Sequence, residues 1–444
     1  MSVHFMRSVN RLISEKEFRL LQNYQSLIDT AIAAISPSFS SINCDALFIN
    51  DTSDRRFVEA QRTAKQFSYA FDKHRLILDA SSSNRCNLLK RIFGFNEVPL
   101  SNEENEFPLA YAALVYKWSD EVRQQFMFPE DFTWVFYMLS ALYHPQNAYC
   151  IAVDGNSDRS FKHAILSLEE CFPNIGVMVV EGVEYCGFSV INSVMQCLQA
   201  LTESAIPWRY FQYISNFDLP LKTNREMVRI FKRLNGSFNS EVLQFQAPRL
   251  KKKKSKDIPY GITLYKSSLS ATFSRESAEF FVSNEKVKSI IRFLNGTWCP
   301  DESLWTTVAG NKELGMPNGF DASQWLRAIN RNPNVSSETF PYYISRFQIW
   351  KGTKFGNICK GKYVHDSCVF GVDDLVFLNE RPELMAHKLY LDFQPAAFFC
   401  LYKRVRERAI ENIEKFDDAV YAQMPGPRVL RGEPIENIYI ERAN

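Results

Sequence analysis

The feature that most constrains the fold is an alternation of short apolar segments with longer amphipathic segments between residues 107 and 218. Four of the apolar segments, PLAYAALVY, YCIAVD, IGVMVVE and YFQYIS, have the length and the polar boundaries of buried strands. The intervening segments WVFYMLSALYH, SFKHAILSLEECF and FSVINSVMQCLQALTES have the length of helices. This order predicts an α/β fold with a mixed, mainly parallel sheet and helices on both faces.

The carboxyl ends of two of these strands carry acidic residues. Asp154 ends the second strand, and Asp218 follows the fourth. Ligands of open α/β sheets bind beyond the carboxyl ends of the strands, so both residues lie where a site is expected. The sequence has neither G-x-G-x-x-G nor G-x-x-x-x-G-K-[ST], and it has no G-x-S-x-G nucleophile elbow. The missing motifs exclude most common classes of α/β enzyme.

The pattern of apolar residues changes on each side of this region, which predicts three parts of the chain. Residues 1–105 are predicted to form a stem or N-terminal subdomain, residues 106–410 the main α/β domain, and residues 411–444 a tail at the surface or loosely ordered. An amphipathic helix is predicted over FFCLYKRVRERAIENIEKF, just before the tail. The apolar fraction of 46% is sufficient for a large core.

Charge argues against nucleic acid as a partner. The chain has 52 Lys and Arg against 50 Asp and Glu, so no global field attracts polyanions. The run KKKKSK, residues 251–256, is the one obvious local exception. Because blocks of like charge repel and resist packing, a solvated loop is favoured here over a phosphate site.

Neither a membrane segment nor a metal site is evident. No stretch reaches the roughly 18 to 20 apolar residues of a membrane-spanning helix, and LIDTAIAAI is too short. The chain is therefore either cytosolic or shown without the start of its targeted form. The six histidines include no pair at i,i+4 spacing, so no metal cage is predicted.

The ten cysteines include no C-x-x-C pair, and their spacing suits a few disulfides on a large domain, whose connectivity the sequence leaves open. Four N-glycosylation sequons give weak support to a secreted chain. They lie at Asn50, Asn235, Asn295 and Asn334.

The segment WCPDESLW, residues 298–305, places Asp301 and Glu302 side by side between a proline and an aromatic residue. Such a pair is compatible with a helix N-terminus, where carboxylates interact favourably with the helix dipole. From spacing alone this structural role is favoured over a catalytic base.

Several segments in this order resemble the landmarks of the core-2/I-branching β-1,6-N-acetylglucosaminyltransferases, a family related to the proteoglycan xylosyltransferases. They are PLAYAALVY, HPQNAYCIAVD, FQYISNFDLPLKTNREMVRIFKRLNG, WCPDESLW, CVFGVDDLVFL and PELMAHKLY. The similarity extends over about residues 107 to 408. It implies a GT-A-like nucleotide-sugar-binding fold and inverting transfer of GlcNAc from UDP-GlcNAc to a glycan hydroxyl, as in β-1,6 branching of O-glycans. It also implies a Golgi-lumenal type II membrane protein, although no anchor is visible in this sequence.

The resemblance assigns roles to individual residues. The family's general base is the Glu of its P-D-E motif, which is Glu302 here. The family needs no metal or other cofactor, and this agrees with the lack of a second carboxylate two residues after Asp154. The residues implied to bind UDP are Asp154, Tyr185, His365 and Lys388. Those implied to bind the acceptor are Glu241, Arg249, Lys252 and Trp350.

Two positions depart from the family pattern. His365 stands where the family has the arginine that neutralises the diphosphate, and a histidine lacks the bidentate fork of arginine. Lys360, Lys362 or Arg381 are possible substitutes. Gly352 replaces a family aromatic, so the acceptor need not be the namesake mucin core.

The resemblance also implies disulfide pairs. They are Cys44 with Cys400, Cys86 with Cys171, Cys150 with Cys197, and Cys359 with Cys368. These four pairs leave Cys186 and Cys299, which are expected to be free and buried. If they were instead bonded to each other, the disulfide would connect the segments on both sides of the site. Matched pairs favour an oxidising lumen over the cytosol.

Two alternatives to GlcNAc transfer stay open. One is transfer of xylose from UDP-xylose to a serine of a core protein, which the related branch performs. The other is a catalytically silent domain that binds glycans, which the departures at His365 and Gly352 make conceivable.

Overall fold

A computed structural model describes residues 14–70, 82–116, 132–331, 341–353, 356–411, 413–438 and 440. The strands are β1 (Leu109–Val115), β2 (Ala148–Asp154), β3 (Ile175–Val180), β4 (Tyr210–Ser215), β5 (Asp218–Pro220), β6 (Leu243–Gln244), β7 (Tyr265–Lys266), β8 (Thr272–Ser274), β9 (Phe347–Gln348), β10 (Lys362–Val364), β11 (Ser367–Val369) and β12 (Met385–His387). The helices of the first half are α1 (Glu15–Ile35), α2 (Arg55–Gln66), α3 (Ser82–Phe93), α4 (Asn102–Asn105), α5 (Thr133–Leu142), α6 (Arg159–Cys171), α7 (Phe188–Glu203) and α8 (Asn224–Leu234). Those of the second half are α9 (Arg275–Ser283), α10 (Glu285–Leu294), α11 (Leu304–Ala309), α12 (Ala322–Arg331), α13 (Leu375–Glu380), α14 (Pro395–Arg408) and α15 (Pro425–Leu430).

The central sheet confirms the predicted α/β class. Its strand order is β3-β2-β1-β4-β8, in which the first four strands are parallel and β8 is antiparallel to β4. Every residue of β1 and β2 is buried. Strands covered on both faces are expected to be continuously apolar, as these segments are.

Successive side chains of β1 point to opposite faces of the sheet and belong to two separate apolar cores. Tyr111 and Ala113 belong to one core, which contains α5 and α6, whereas Ala112 and Leu114 belong to the other, which contains α7. This follows from the two-residue period of side chains along a strand. The sheet therefore separates two apolar layers, and its carboxyl edge is free to carry polar loops.

Small sheets extend this edge. β12 pairs antiparallel with β5 and parallel with β9, and β10 and β11 form a hairpin. β6 and β7 form another antiparallel pair. The short strands bring segments from the last third of the chain to the carboxyl ends of β1 and β4.

The C-terminal part of the chain differs from the sequence expectation. Helix α14 ends at Arg408, although the amphipathic pattern predicts a helix to residue 416. The segment after it is packed rather than loosely ordered, because Tyr421 and Ile435 are buried in the two cores. Buried Arg406 joins α14 to the N-terminal region by donating to the carbonyl of Gly94 at 2.6 Å.

The disulfides largely follow the predicted pairing. Cys44–Cys400, Cys86–Cys171, Cys150–Cys197 and Cys359–Cys368 are all formed. The expectation that Cys186 and Cys299 are free is wrong, because they form a fifth disulfide. In the described parts of the chain, no helix has both the length and the apolar character needed to span a membrane.

Candidate active site

The adjacent carboxylates lie on a single 3-10 turn, Pro300–Glu302, between α10 and α11. Cys299 enters this turn in the left-handed conformation, with a φ of 47°. The N–H of Glu302 donates to the carbonyl of Cys299 at 3.1 Å, and the N–H of Ser267 donates to the carbonyl of Glu302 at 2.7 Å. These bonds fix the backbone of the turn on both sides of Glu302.

The Glu302 carboxylate is oriented by two cations. Its Oε2 accepts a hydrogen bond from Arg249 Nη2 at 2.6 Å and lies 3.6 Å from Lys266 Nζ. The Arg249 side chain is 7% exposed, whereas that of Glu302 is 29% exposed. The carboxylate is therefore held by a buried guanidinium and still reaches solvent, as a base that accepts a proton from a bound hydroxyl must.

Asp301 differs sharply from its neighbour. Its Oδ1 is buried and has no hydrogen-bond partner among the described residues. Burial, with a further contribution from the negative charge of Glu302, raises the pKa of Asp301 to about 7. Asp301 does not cap the next helix, since Ser303 is the N-cap of α11 and no side chain provides a cap bond there.

Glu241 adds another carboxylate to this side of the site. Burial raises its pKa, with Glu302 adding to the effect and the positive charge of Lys266 opposing it. The pairing of β6 with β7 places Leu243 opposite Lys266 and so brings these segments together. Sequence reasoning missed Lys266, because a single lysine on a two-residue strand has no motif.

Arg249 is at the centre of the predicted acceptor group. Besides Glu302, it contacts Gln246 Oε1 through Nε at 2.6 Å, and its guanidinium lies 5.5 Å from the centroid of the Trp298 ring. Lys252 lies on the loop that follows and is exposed. Acceptor binding by Arg249 and Lys252 stays a prediction, but the position of Arg249 beside the carboxylate is now fixed.

The Cys186–Cys299 disulfide joins two loops at this site. It connects the residue after Tyr185 to the residue that enters the turn carrying Glu302. The N–H of Cys299 also donates to the carbonyl of Cys186 at 3.1 Å. Tyr185, predicted to bind UDP, is 92% exposed, and the disulfide at the next residue connects its loop to the turn that carries Glu302.

Of the two acidic residues near the strand ends, Asp154 accepts hydrogen bonds from backbone N–H groups and Asp218 contacts a histidine. Asp154 Oδ1 accepts from the N–H groups of Asn156 at 2.9 Å and Val183 at 2.8 Å, which joins the loops after β2 and β3. Asp218 is fully buried and lies 2.7 Å from Nδ1 of His387. Burial lowers the pKa of His387 to about 4, so its neutral ring donates to Asp218 near pH 7.

Lys388 follows this histidine and faces a second cation. Its ammonium donates to the carbonyl of Val364 at 3.1 Å and lies 5.3 Å from the centroid of the Tyr390 ring. Burial, assisted by the positive charge of Arg346, lowers the pKa of Lys388 to about 8. Within the described residues, neither Lys388 nor Arg346 has a carboxylate oxygen within 4 Å. Both positive charges are therefore available to bind an anion.

Arg346 is the residue that sequence reasoning missed on this side. It donates to Ser268 Oγ at 3.2 Å and immediately precedes β9, which pairs with β12 beside Lys388. Its charge acts on both Lys388 and Glu241, so it lies between the two predicted halves of the site. The only available signal was a lone arginine beside a short apolar segment.

His365 lies near Lys388 but on the surface. It is at the exposed tip of the β10–β11 hairpin with a φ of 49°, one residue after the carbonyl that Lys388 contacts. Of the suggested substitutes, Arg381 pairs with Glu383 at 2.6 Å, and its charge is therefore compensated. Lys362 lies over the Phe393 ring at 4.7 Å.

Trp350 lies beside the same hairpin. It forms an isolated bridge with Ser367, and it is 39% exposed. Gly352 follows with a φ of 77° and has open space where a side chain would lie. The structure therefore places Trp350 near His365, while Glu241 and Arg249 gather around Glu302.

The described residues contain no cluster of three or more His, Cys, Asp or Glu that could hold a metal ion. Asn50, Asn235 and Asn295 are exposed, as glycosylation requires, and Asn334 lies outside the described residues.

Comparison with known proteins relates this site to a family. The family model described as "Core-2/I-Branching enzyme" matches residues 126–357. A beta-1,3-galactosyl-O-glycosyl-glycoprotein beta-1,6-N-acetylglucosaminyltransferase 3 from Homo sapiens is 28% identical over 85% of this chain and 86% of its own length. An N-acetyllactosaminide beta-1,6-N-acetylglucosaminyl-transferase from Mus musculus is 30% identical over 71% of this chain and 77% of its own length.

Proposed function

This chain belongs to the core-2/I-branching enzyme family, and we propose that it transfers GlcNAc from UDP-GlcNAc to a hydroxyl of a glycan, forming a β-1,6 branch on O-glycans. It is a glycosyltransferase of the core-2/I-branching type. The observation that carries the finer proposal is the accessible Glu302 carboxylate, fixed on its turn by backbone bonds and oriented by Arg249.

The proposed reaction is a single displacement with inversion. The acceptor hydroxyl oxygen forms a bond to the anomeric carbon as Glu302 takes its proton, and the bond from that carbon to the UDP oxygen breaks. General base catalysis of this kind contributes about 10²- to 10⁴-fold. The proton then passes from Glu302 to solvent, and UDP leaves with the bonding electron pair.

The diphosphate gains one negative charge as its bond to the anomeric carbon breaks, and cations already in place can stabilise that charge. Lys388 and Arg346 supply positive charge without carboxylate partners among the described residues, which supports a reaction that needs no metal ion or other cofactor. Asp154 and Tyr185 would contact the uridine, and His365 would lie at the rim. Glu241, Arg249, Lys252 and Trp350 would contact the acceptor.

A Golgi-lumenal location is part of the proposal. Five disulfides among the described residues suit an oxidising compartment. We propose that residues 106–410 act as the transferase domain and that residues 1–105 connect it, in a fuller form, to a membrane anchor.

The decisive experiment follows UDP release from a panel of UDP-sugars in the presence of EDTA. We expect turnover with UDP-GlcNAc and a glycan acceptor; preference for UDP-xylose and a serine peptide would replace the donor and acceptor proposed here. Failure of every donor both to turn over and to bind would refute the transferase mechanism.

The role of Glu302 is tested by Glu302→Gln, which keeps the size of the side chain and removes the base. We expect kcat to fall by about 10²-fold or more while UDP affinity is retained. The matched control is Glu313→Gln at an exposed position, which should leave kcat unchanged. A large loss of UDP affinity in Glu302→Gln would contradict its role as the base.

A further inference from the structure

The lysine run at residues 251–256, here called the basic loop, is a concentrated local charge on a chain whose net charge is only +2. Lys251, Lys252, Lys254 and Lys256 are exposed. Lys253 lies over the Phe293 ring at 4.9 Å. In the described part of the chain, none of these ammonium groups has a carboxylate oxygen within 4 Å. The positive charge of the loop is therefore uncompensated by the protein.

The basic loop is attached directly to the candidate active site. Two residues before it, Arg249 donates to Glu302 at 2.6 Å. The carbonyl of Arg249 accepts from the N–H of Trp298 at 2.8 Å, which ties the loop to the segment that leads into the catalytic turn. An acceptor whose hydroxyl lies at Glu302 therefore has lysine side chains within reach of its neighbouring groups.

Exposed aromatic rings lie on both sides of the loop. Trp298 is 50% exposed and Tyr260 is 57% exposed. Aromatic faces stack on sugar rings, and nearby cations bind the anionic groups of those sugars. The combination fits an acidic saccharide better than a neutral one, because an ammonium group binds an anionic oxygen more strongly than a neutral hydroxyl.

We propose that the basic loop binds an anionic group, a sulfate ester or a sialic acid carboxylate, on a glycan acceptor whose reacting hydroxyl lies at Glu302. This inference rests on the transferase function proposed above and adds the chemical class of the acceptor. The charges of exposed lysines are screened over about 8 Å at physiological ionic strength, so the effect is confined to ligands that reach the loop.

The test compares kcat/KM for a neutral glycan acceptor with the values for its sulfated and sialylated forms. The variant is Lys251→Gln, Lys254→Gln and Lys256→Gln combined, which keeps Lys252 and the packed Lys253. The matched control neutralises three exposed lysines elsewhere, Lys16, Lys312 and Lys415, and changes the net charge equally.

We expect the loop variant to raise KM for the acidic acceptor by about three- to tenfold and to leave the neutral acceptor unchanged, because each exposed ion pair contributes little by itself. The control should change neither. Raising NaCl from about 20 to about 200 mM should remove most of the advantage of the acidic acceptor. The sulfated and sialylated arms identify which anion is used.

Direct binding of the acidic glycan separates this proposal from the proposed function. Binding that the loop variant loses, in a protein without turnover, would support the acidic ligand and refute the transfer reaction. Turnover with equal KM for neutral and acidic acceptors, or an equal effect of the control variant, would overturn the role of the loop. Equal competition by an oligonucleotide or an acidic peptide of the same charge would overturn the assignment to a glycan.

Discussion

Replacing both cysteines of the Cys186–Cys299 disulfide by alanine tests how the candidate active site is held together. The bond closes a segment of 113 residues. On the loop-closure model, the unfolded chain gains entropy worth about 5 kcal/mol when such a loop is opened. The structure offers a control of nearly equal size, because Cys86–Cys171 closes 85 residues and joins α3 to α6. The same model gives about 4.6 kcal/mol for that pair.

The two double variants should therefore lose similar stability but differ in activity. Without Cys186–Cys299, the Tyr185 loop and the turn that carries Glu302 lose their covalent connection, although the backbone hydrogen bond from Cys299 to Cys186 remains. Misplacement of a catalytic group by about 1 Å can cost about 10²-fold in rate, so we expect kcat to fall by about ten- to a hundredfold. The Cys86–Cys171 variant should keep its kcat.

The assay combines denaturant unfolding with steady-state kinetics at a temperature at which circular dichroism shows both variants to be folded. A stability loss below about 2 kcal/mol for the Cys186–Cys299 variant, with the expected loss for the control, would refute the loop-closure argument. An unchanged kcat in the folded Cys186–Cys299 variant would refute the positioning role of the disulfide.

Two further predictions concern charged groups. Lys388→Met and Arg346→Met should each weaken UDP binding by about tenfold or more while leaving uridine binding unchanged, as titration calorimetry can measure; an equal loss for uridine, or a larger loss of UDP affinity in Lys360→Gln, would place the diphosphate elsewhere. Asp301 has a pKa raised to about 7, so the native state binds this proton more tightly than the unfolded state, and its contribution to stability is present below about pH 4 and lost as the pH rises to about 7. Asp301→Asn should consequently gain stability over the parent protein between those pH values, on the order of a few kcal/mol, and a difference independent of pH would contradict the burial of this carboxyl.

The central sheet was predictable from the sequence because β1 and β2, at its centre, are buried on both faces. Segments such as YCIAVD are apolar without interruption, and each is separated from the next by a helix of suitable length. The same reasoning failed at the end of α14, where the amphipathic pattern continues beyond Arg408 although the helix stops. Periodicity identifies elements better than their boundaries, because the final turn depends on tertiary contacts.

The candidate site was only partly predictable. Glu302 and Lys388 lie in recognisable motifs, whereas Arg346 and Lys266 are single cations on two-residue strands or beside them. Their importance comes from strand pairing between distant segments, which has no local signature. The same holds for Cys186 and Cys299, because the number of possible connectivities leaves a pair undetermined until the backbone brings the two residues together.

The pairing of β5 with β12 has a consequence for synthesis of the protein. Asp218 and His387 are 169 residues apart, so β5 leaves the ribosome long before its partner strand exists. The four parallel strands of the central sheet are complete by residue 215, but the cation that follows β12 arrives only at residue 388. A nascent chain interrupted before β12 would contain the whole parallel sheet with an open strand edge, and unpaired edges recruit other chains. Such fragments should therefore be prone to association, and Lys388 is added only within the last seventh of the chain.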